Sequence, residues 1–275
     1  MSPAIKLAVC VAFHFVPERF QYLDALCANF PALARELDVT IVTNAQNERE
    51  HKEILAIGTR HGLALSLFVP RGMGHPYLLP WSHFEVMREK HAAPSFTHFM
   101  YLEDDLLVRQ ETILYLLQAR EFLRTTGLLP SVLRVEQKTP GGQWYATDVT
   151  APIAIDKCSK VVDQTGAFGF FNIPELYQAM YFLDRESMTE HLSGRSSNPD
   201  FGIWKIRERA AQGLTFSKVP EGFASRIMVP YHVAAGEIDE RCLVHHLPNN
   251  YATNPKAKHA KIKVVDLLQT DTAVL

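Results

Sequence analysis

Two kinds of apolar run alternate along the first hundred residues. Residues 6–15 (KLAVCVAFHF), 39–43 (VTIVT) and 63–69 (LALSLFV) are short and nearly continuous, the pattern of strands covered on both faces. Between them, residues 18–29 space Phe20, Leu23, Leu26 and Cys27 as one face of a helix, and residues 46–61 form a second helical stretch that stops at Gly62. Pro17, Asn44 and Pro70 punctuate the strand ends. After a loop rich in Gly and Pro (RGMGHPYLLP, residues 71–80) come a predicted helix over 81–91 and a fourth strand over 96–102. The order β-α-β-α-β-loop-α-β implies an α/β protein with a mostly parallel sheet flanked by helices.

The second half has a different rhythm. A helix is predicted over 110–124, followed by shorter, partly antiparallel strands over 131–162 around the Pro140-Gly141-Gly142 turn. Helical stretches follow at 173–191 and 202–212, the latter stopped by Gly213, and the remaining chain is irregular. No internal repeat or linker interrupts the pattern, so a single domain over 1–275 is expected. Its halves are about 1–108 and 109–250, with a basic C-terminal tail at 251–275.

Composition narrows the picture only slightly. The 275 residues are 47% hydrophobic and 21% charged with a formal charge of −2, which fits a globular protein and argues against a nucleic acid polymer as partner. Four dispersed cysteines form no CxxC pair, and Cys10 and Cys27 read as small core residues. That usage favours a cytoplasmic setting. Lys256, Lys258, Lys261 and Lys263 read as a solvated basic tail, with contact to an anionic membrane face as the second reading.

The candidate chemistry sits in HFMYLEDDLLV, residues 98–108. Glu103, Asp104 and Asp105 follow the fourth strand, and ligands of open α/β sheets bind beyond the carboxyl ends of strands. Strand alternation would put Glu103 and Asp105 on one side and Asp104 on the other. Two converging carboxylates suit Mg2+ or Mn2+. An acidic turn with one Asp capping the next helix explains the same residues.

The element order ending in Glu103-Asp104-Asp105 resembles the GT-A glycosyltransferases, whose D-x-D motif this stretch matches with Glu in place of the first Asp. Residues 165–192 (TGAFGFFNIPELYQAMYFLDRESMTEHL) are similar to the family's acceptor-facing wall. Residues 198–220 (NPDFGIWKIRERAAQGLTFSKVP) are similar to its ED-x-x-L-x-x-R stretch, with Pro199-Asp200 where the family has Glu-Asp. The resemblance implies a GT-A-like fold with a smaller antiparallel acceptor-side portion. It also implies transfer of a sugar from a nucleotide diphosphate to the hydroxyl of a carbohydrate or glycoconjugate acceptor. Implied donor contacts are Phe13, His14, Thr43 and Asn44 at the first two strand ends, His83, and Glu103 with Asp104. Asp105 and Glu103 would hold Mn2+ or Mg2+, with His246 of the His245-His246 pair as a further ligand. Asp200 would be the base that deprotonates the acceptor, with Asp184 and Glu190 as substitutes should Asp200 cap a helix.

Two other classes use the same acids: a metal-dependent phosphohydrolase or nucleotidyltransferase, and a non-catalytic nucleotide- or carbohydrate-binding protein. P-loop, dinucleotide-fingerprint and G-x-S-x-G motifs are absent from the sequence, which disfavours the classes that depend on them.

Overall fold

The computed structural model of the chain describes residues 4–269. It divides into two compact units, Met1–Gln110 with Ala179–Leu214, and Glu111–Gln178 with Thr215–Leu275. One boundary between the units falls near residue 110. Residues 179–214 return to the first unit.

In the first unit, strands β1 (Lys6–Phe13), β2 (Glu36–Thr43), β3 (Leu65–Phe68) and β4 (His98–Glu103) are parallel. Their order across the sheet is β4-β1-β2-β3. Every residue of β1 from Leu7 to Phe13 is buried, as expected of a continuous apolar run covered on both faces. The covering helices are α1 (Phe20–Asn29), α2 (Glu48–Arg60) and α3 (His83–Ala92). Helix α2 starts where the sequence allows it to. Asn47 Oδ1 accepts from Glu50 N at 3.1 Å, Glu50 Oε2 accepts from Gln46 N at 2.5 Å, and two acids occupy the positive N-terminal turn.

A fifth strand, Met180–Asp184, runs antiparallel on the other edge of β4 and pairs Met180 with Leu102 through Asp184 with His98. Residues 173–191 are therefore not one helix. Glu175 and Ala179 have positive φ, which breaks helical continuity, and the aromatic-rich MYFLD stretch takes the hydrogen bonds offered by β4. The helix begins only at Arg185, capped by Asp184, and runs to Ser193. The predicted helix over 202–212 is likewise reduced to Ile206–Arg209, because Gly202 has φ 114° and Lys205 is extended.

The second unit contains the helix Gln110–Leu123 and mixed sheets of short strands. In one sheet Leu133–Gln137 lies between Trp144–Ala146, antiparallel, and Leu243–His246, parallel. In another, Phe168–Asn172 lies between Lys160–Val162 and Ile227–His232, both antiparallel. The buried Arg134 guanidinium holds Asp148 through two 2.9 Å hydrogen bonds. All four cysteines are free and three are buried, in keeping with the core role expected of Cys10 and Cys27. No helix among the described residues is long and apolar enough to cross a membrane. The final stretch of the expected basic tail, residues 270–275, lies outside the described residues.

Behind the parallel sheet the first unit buries two imidazoles. His83 bonds Pro80 O through Nδ1 at 2.6 Å and Tyr181 Oη through Nε2 at 2.8 Å, with its ring 4.2 Å from that of Tyr101. His191 bonds Ser196 Oγ through Nδ1 at 2.7 Å, and its Nε2 has no hydrogen-bond partner. Burial pushes both pKa values down from 6.5 to about 3. With the folded value below the unfolded one, the stability gained by burying neutral rings is fully present above pH 6.5. It is lost as pH falls from 6.5 toward 3. Denaturation midpoints should fall through that window, each histidine contributing a slope of up to about 1.4 kcal/mol per pH unit. His191→Gln should show a shallower pH dependence than the parent between pH 6 and 4. Equal slopes in urea titrations would contradict the assignment.

Candidate functional site at the carboxyl edge of the parallel sheet

The chain leaves β1 toward β2 on one side and returns to β4 on the other, so strand order reverses between β1 and β4. In open α/β sheets this switch point, at the carboxyl ends, is where a crevice for ligands forms. Ala12 of β1 pairs with Glu103 of β4, and Phe13 pairs with Thr43 of β2. The segments that leave the sheet here are therefore residues 14–19, 44–47 and 104–105.

Strand β4 ends at Glu103, and Asp104-Asp105 form a turn before a short strand at Leu106–Leu107. Strand alternation stops at that turn, so the expectation that Glu103 and Asp105 pair on one side loses its basis. The side chains that share a partner are Asp104 and Asp105. Arg19 donates through Nε to Asp104 Oδ2 at 2.6 Å, and through Nη2 to Asp104 Oδ1 and to Asp105 Oδ2, the last at 2.8 Å. Both carboxylates are almost fully buried, whereas the Arg19 side chain is 31% exposed. Burial raises the Asp104 pKa above the usual carboxylate range; the hydrogen bonds from Arg19 oppose that rise and the charge of Asp105 adds to it. Glu103 contributes further in the same direction, so the three acids share one electrostatic environment.

Sequence reasoning did not single out Arg19. The signal available was a basic residue within six positions of the end of β1, just after Pro17, which opens the single turn Pro17–Arg19.

The other expected donor contacts divide into exposed and buried groups. His14 is exposed, and Asn44, half-buried, accepts from Phe15 N at 2.7 Å, which ties the ends of β1 and β2 together. Phe13 and Thr43 are buried. Phe13 packs edge-on against Phe15 and Phe20, and Thr43 Oγ1 accepts from Ala45 N at 3.3 Å. Both belong to the core, a correction to their expected role. His83 is corrected in the same way, because it has no exposed surface and both its ring nitrogens are engaged.

The candidate bases also separate. Asp184 pairs with His98, the first residue of β4, and its carboxylate accepts from Ser187 N at 2.7 Å. It sits at the opposite end of β4 from Glu103, about 17 Å away for five residue steps. Asp184 is thus a helix cap at the amino edge and cannot reach the acid cluster, which corrects its role as substitute base. Asp200 is exposed in a turn, where its N donates to Asn198 Oδ1 at 2.9 Å and Arg209 Nη1 donates to Pro199 O at 2.9 Å. It starts no helix, so the capping alternative for it does not apply.

His246 belongs to the second unit. Its Nδ1 donates to the Glu136 carboxylate oxygen Oε1 at 2.6 Å. Among the described residues, no group of three or more His, Cys, Asp or Glu side chains is gathered to hold a metal ion. A three-ligand protein cage of Glu103, Asp105 and His246 is therefore not what the chain presents. Arg19 bonds Asp104 and Asp105, so with Glu103 beside them the strand end carries a formal charge of −2 when all are ionised. Mg2+ and similar hard ions are commonly held by one or two carboxylates together with phosphate oxygens of the substrate, a donor set to which Asp105 alone could contribute.

No family model matches the chain, and no curated protein matches it. Among solved structures it is similar to TarS of S. aureus (residues 1–349), at 12% identity, TM-score 0.41 and 82% coverage of this chain. It is also similar to the same protein in complex with UDP-GlcNAc, at 12% identity, TM-score 0.38 and 68% coverage. A third similarity is to the mannosyltransferase PcManGT of Pyrobaculum calidifontis in complex with GDP-Man and Mn2+, at 16% identity, TM-score 0.33 and 50% coverage. The matches span 57%, 47% and 37% of those chains respectively.

Arg19 is the neutralising partner of two buried carboxylates, and removing one partner of such a group costs about 3 kcal/mol or more. Arg19→Ala should therefore lower the unfolding free energy by about 3 kcal/mol. Adding Asp104→Asn to that variant should recover about 1 kcal/mol or more, since the stranded charge is removed. A double variant no more stable than Arg19→Ala in urea denaturation would show that Arg19 is not there for charge.

Proposed function

We propose that the chain is a nucleotide-sugar-dependent glycosyltransferase that binds its donor at the carboxyl edge of the first unit. The observation that carries this reading is the acid pair Asp104-Asp105, held by Arg19 at the point where strand order reverses. A diphosphate entering that crevice meets acids, so it needs added positive charge. Arg19 supplies part of it: Nη1 makes no hydrogen bond among the described residues and the side chain is partly exposed. Asp105 would help hold Mn2+ or Mg2+, which when bound would supply charge to stabilise the diphosphate as it leaves. His14 and Asn44, at the neighbouring strand ends, line the side where the base and ribose would lie.

Transfer to a hydroxyl requires a group that takes the acceptor proton as the new bond forms. With Asp184 committed to capping at the opposite edge, Asp200 is the carboxylate retained for that role, on an exposed turn and free of a helix start.

Nucleotide sugars should raise the melting temperature of the parent protein when Mn2+ is present, because a ligand that binds only the folded state stabilises it by mass action. Asp105→Asn should abolish that shift, and a variant that keeps it would remove Asp105 from the donor site. Release of free phosphate or pyrophosphate from nucleotides without any sugar acceptor would point instead to a phosphohydrolase or nucleotidyltransferase. Asp200→Asn should leave the donor-induced shift intact while lowering kcat for sugar transfer by about 100-fold, the low end for general base catalysis. Turnover at the parental rate would assign Asp200 no part in proton transfer.

A further inference from the structure

The second unit contains another carboxylate with no place in the chemistry above. Glu136 is fully buried on the strand Leu133–Gln137. Its Oε2 accepts from Tyr251 N at 2.9 Å and Ala252 N at 2.6 Å, and its Oε1 accepts from His246 Nδ1. Asn249 Oδ1 accepts from Gln137 N at 2.8 Å, and Lys261 Nζ donates to Tyr251 O at 3.1 Å and Asn254 O at 2.8 Å. These bonds fix the backbone of residues 249–254 as one wall of a cavity of about 480 Å³, lined by Lys138, Ala252, Thr253, Pro255 and Lys261. Small-molecule sites typically occupy about 300–1,000 Å³.

Both charged residues that line this cavity, Lys138 and Lys261, are cations, and the segment that walls it is rich in lysine. Residues 251–263 carry Lys256, Lys258, Lys261, Lys263 and His259 and no Asp or Glu. Lys138 adds a fifth ammonium, 4.4 Å above the Tyr145 ring. None of the five lysines forms a salt bridge among the described residues, whereas Lys6, Lys52, Lys90 and Lys160 each have an acid partner. Glu136 offsets one charge from beneath the wall. A chain of formal charge −2 thus places four lysines without an acid partner within residues 256–263, next to the cavity wall. Lysine is a point-charge binder of phosphate, and a concentrated positive field draws in multiply charged anions.

We infer that the cavity walled by residues 249–255 is a binding site for a phosphate-bearing polyanion, contacted by Lys138 and Lys261. The open depression would take a phosphate group against its two ammonium groups, supplied either by a soluble phosphate compound or by a lipid headgroup. The site is independent of the donor reading, since every residue in it belongs to the second unit.

Isothermal titration with inorganic tripolyphosphate at low salt tests the soluble source. Co-sedimentation with phosphatidylglycerol vesicles, against phosphatidylcholine vesicles, tests the lipid source. The double variant Lys138→Glu/Lys256→Glu should weaken whichever interaction is found by at least 10-fold. Lys52→Glu, on an exposed helix face of the first unit, and Asp105→Asn should leave it within twofold of the parent. Circular dichroism would confirm that the variants are folded. Absence of binding to both probes overturns the inference, as does equal weakening by Lys52→Glu, which would mean nonspecific charge. Loss through Asp105→Asn alone would relocate the anion to the donor site, while failure of the donor reading leaves this test unaffected.

Discussion

Everything at the carboxyl edge of the first unit depends on one guanidinium. The buried strand β4 delivers Asp104 and Asp105 to a place where water cannot solvate them fully, and burial together with the neighbouring charge of Asp105 raises the proton affinity of Asp104. Arg19 makes the arrangement tenable by bonding both. It arrives from the end of β1, the neighbour of β4 in the sheet, so the same parallel pairing that builds the core also brings cation and anions together. An arginine suits the task because its planar fork can bond two carboxylates at once and stays charged when partly desolvated.

The polar groups behind the sheet follow the opposite logic. His83, His191, Tyr101 and Tyr181 are buried together, and the imidazoles there are kept neutral. His83 satisfies both nitrogens through Pro80 and Tyr181, which uses it as a fixed crosslink between the entrance to α3 and the antiparallel strand. Neutral imidazoles can be buried at modest cost, whereas the buried carboxylates Asp104, Asp105 and Glu136 each take charge-assisted or backbone hydrogen bonds that offset the loss of water.

The parallel half of the fold was legible because its signals are local. Near-continuous apolar runs, Pro and Asn stops, and a helical stretch closed by Gly62 are each visible over a short span of sequence. The acid cluster was legible as a position at a strand end, but not as a geometry, since period-two reasoning ends where the strand does. Arg19 was invisible because it meets Asp104 only through β1–β4 pairing, 85 residues apart in sequence. The stretch 173–191 reads as helix by composition. It yields to tertiary pairing because β4 has an open edge that Met180–Asp184 completes. That pairing also explains the fate of Asp184, which an antiparallel strand carries to the amino end of β4, away from the acids. Phe13, Thr43 and His83 illustrate a related limit: a residue at a strand end or on a loop can face inward, and sequence position does not say which.

The two buried acid sites differ in what holds them, and the difference bears on exchange with ligand. Glu136 is bonded by two backbone amides and an imidazole, groups that cannot leave without unfolding residues 246–252. Its role is therefore to fix a loop. Asp104 and Asp105 are bonded by a side chain that is partly exposed and rotatable, so a cation can compete for them without disturbing the sheet. An acid anchored by backbone is architecture, whereas Asp104 and Asp105 at the switch point are bonded by the partly exposed side chain of Arg19. Under the proposed function, this side-chain anchoring at the switch point, more than the presence of three acids in a row, is what would let residues 103–105 take a cation.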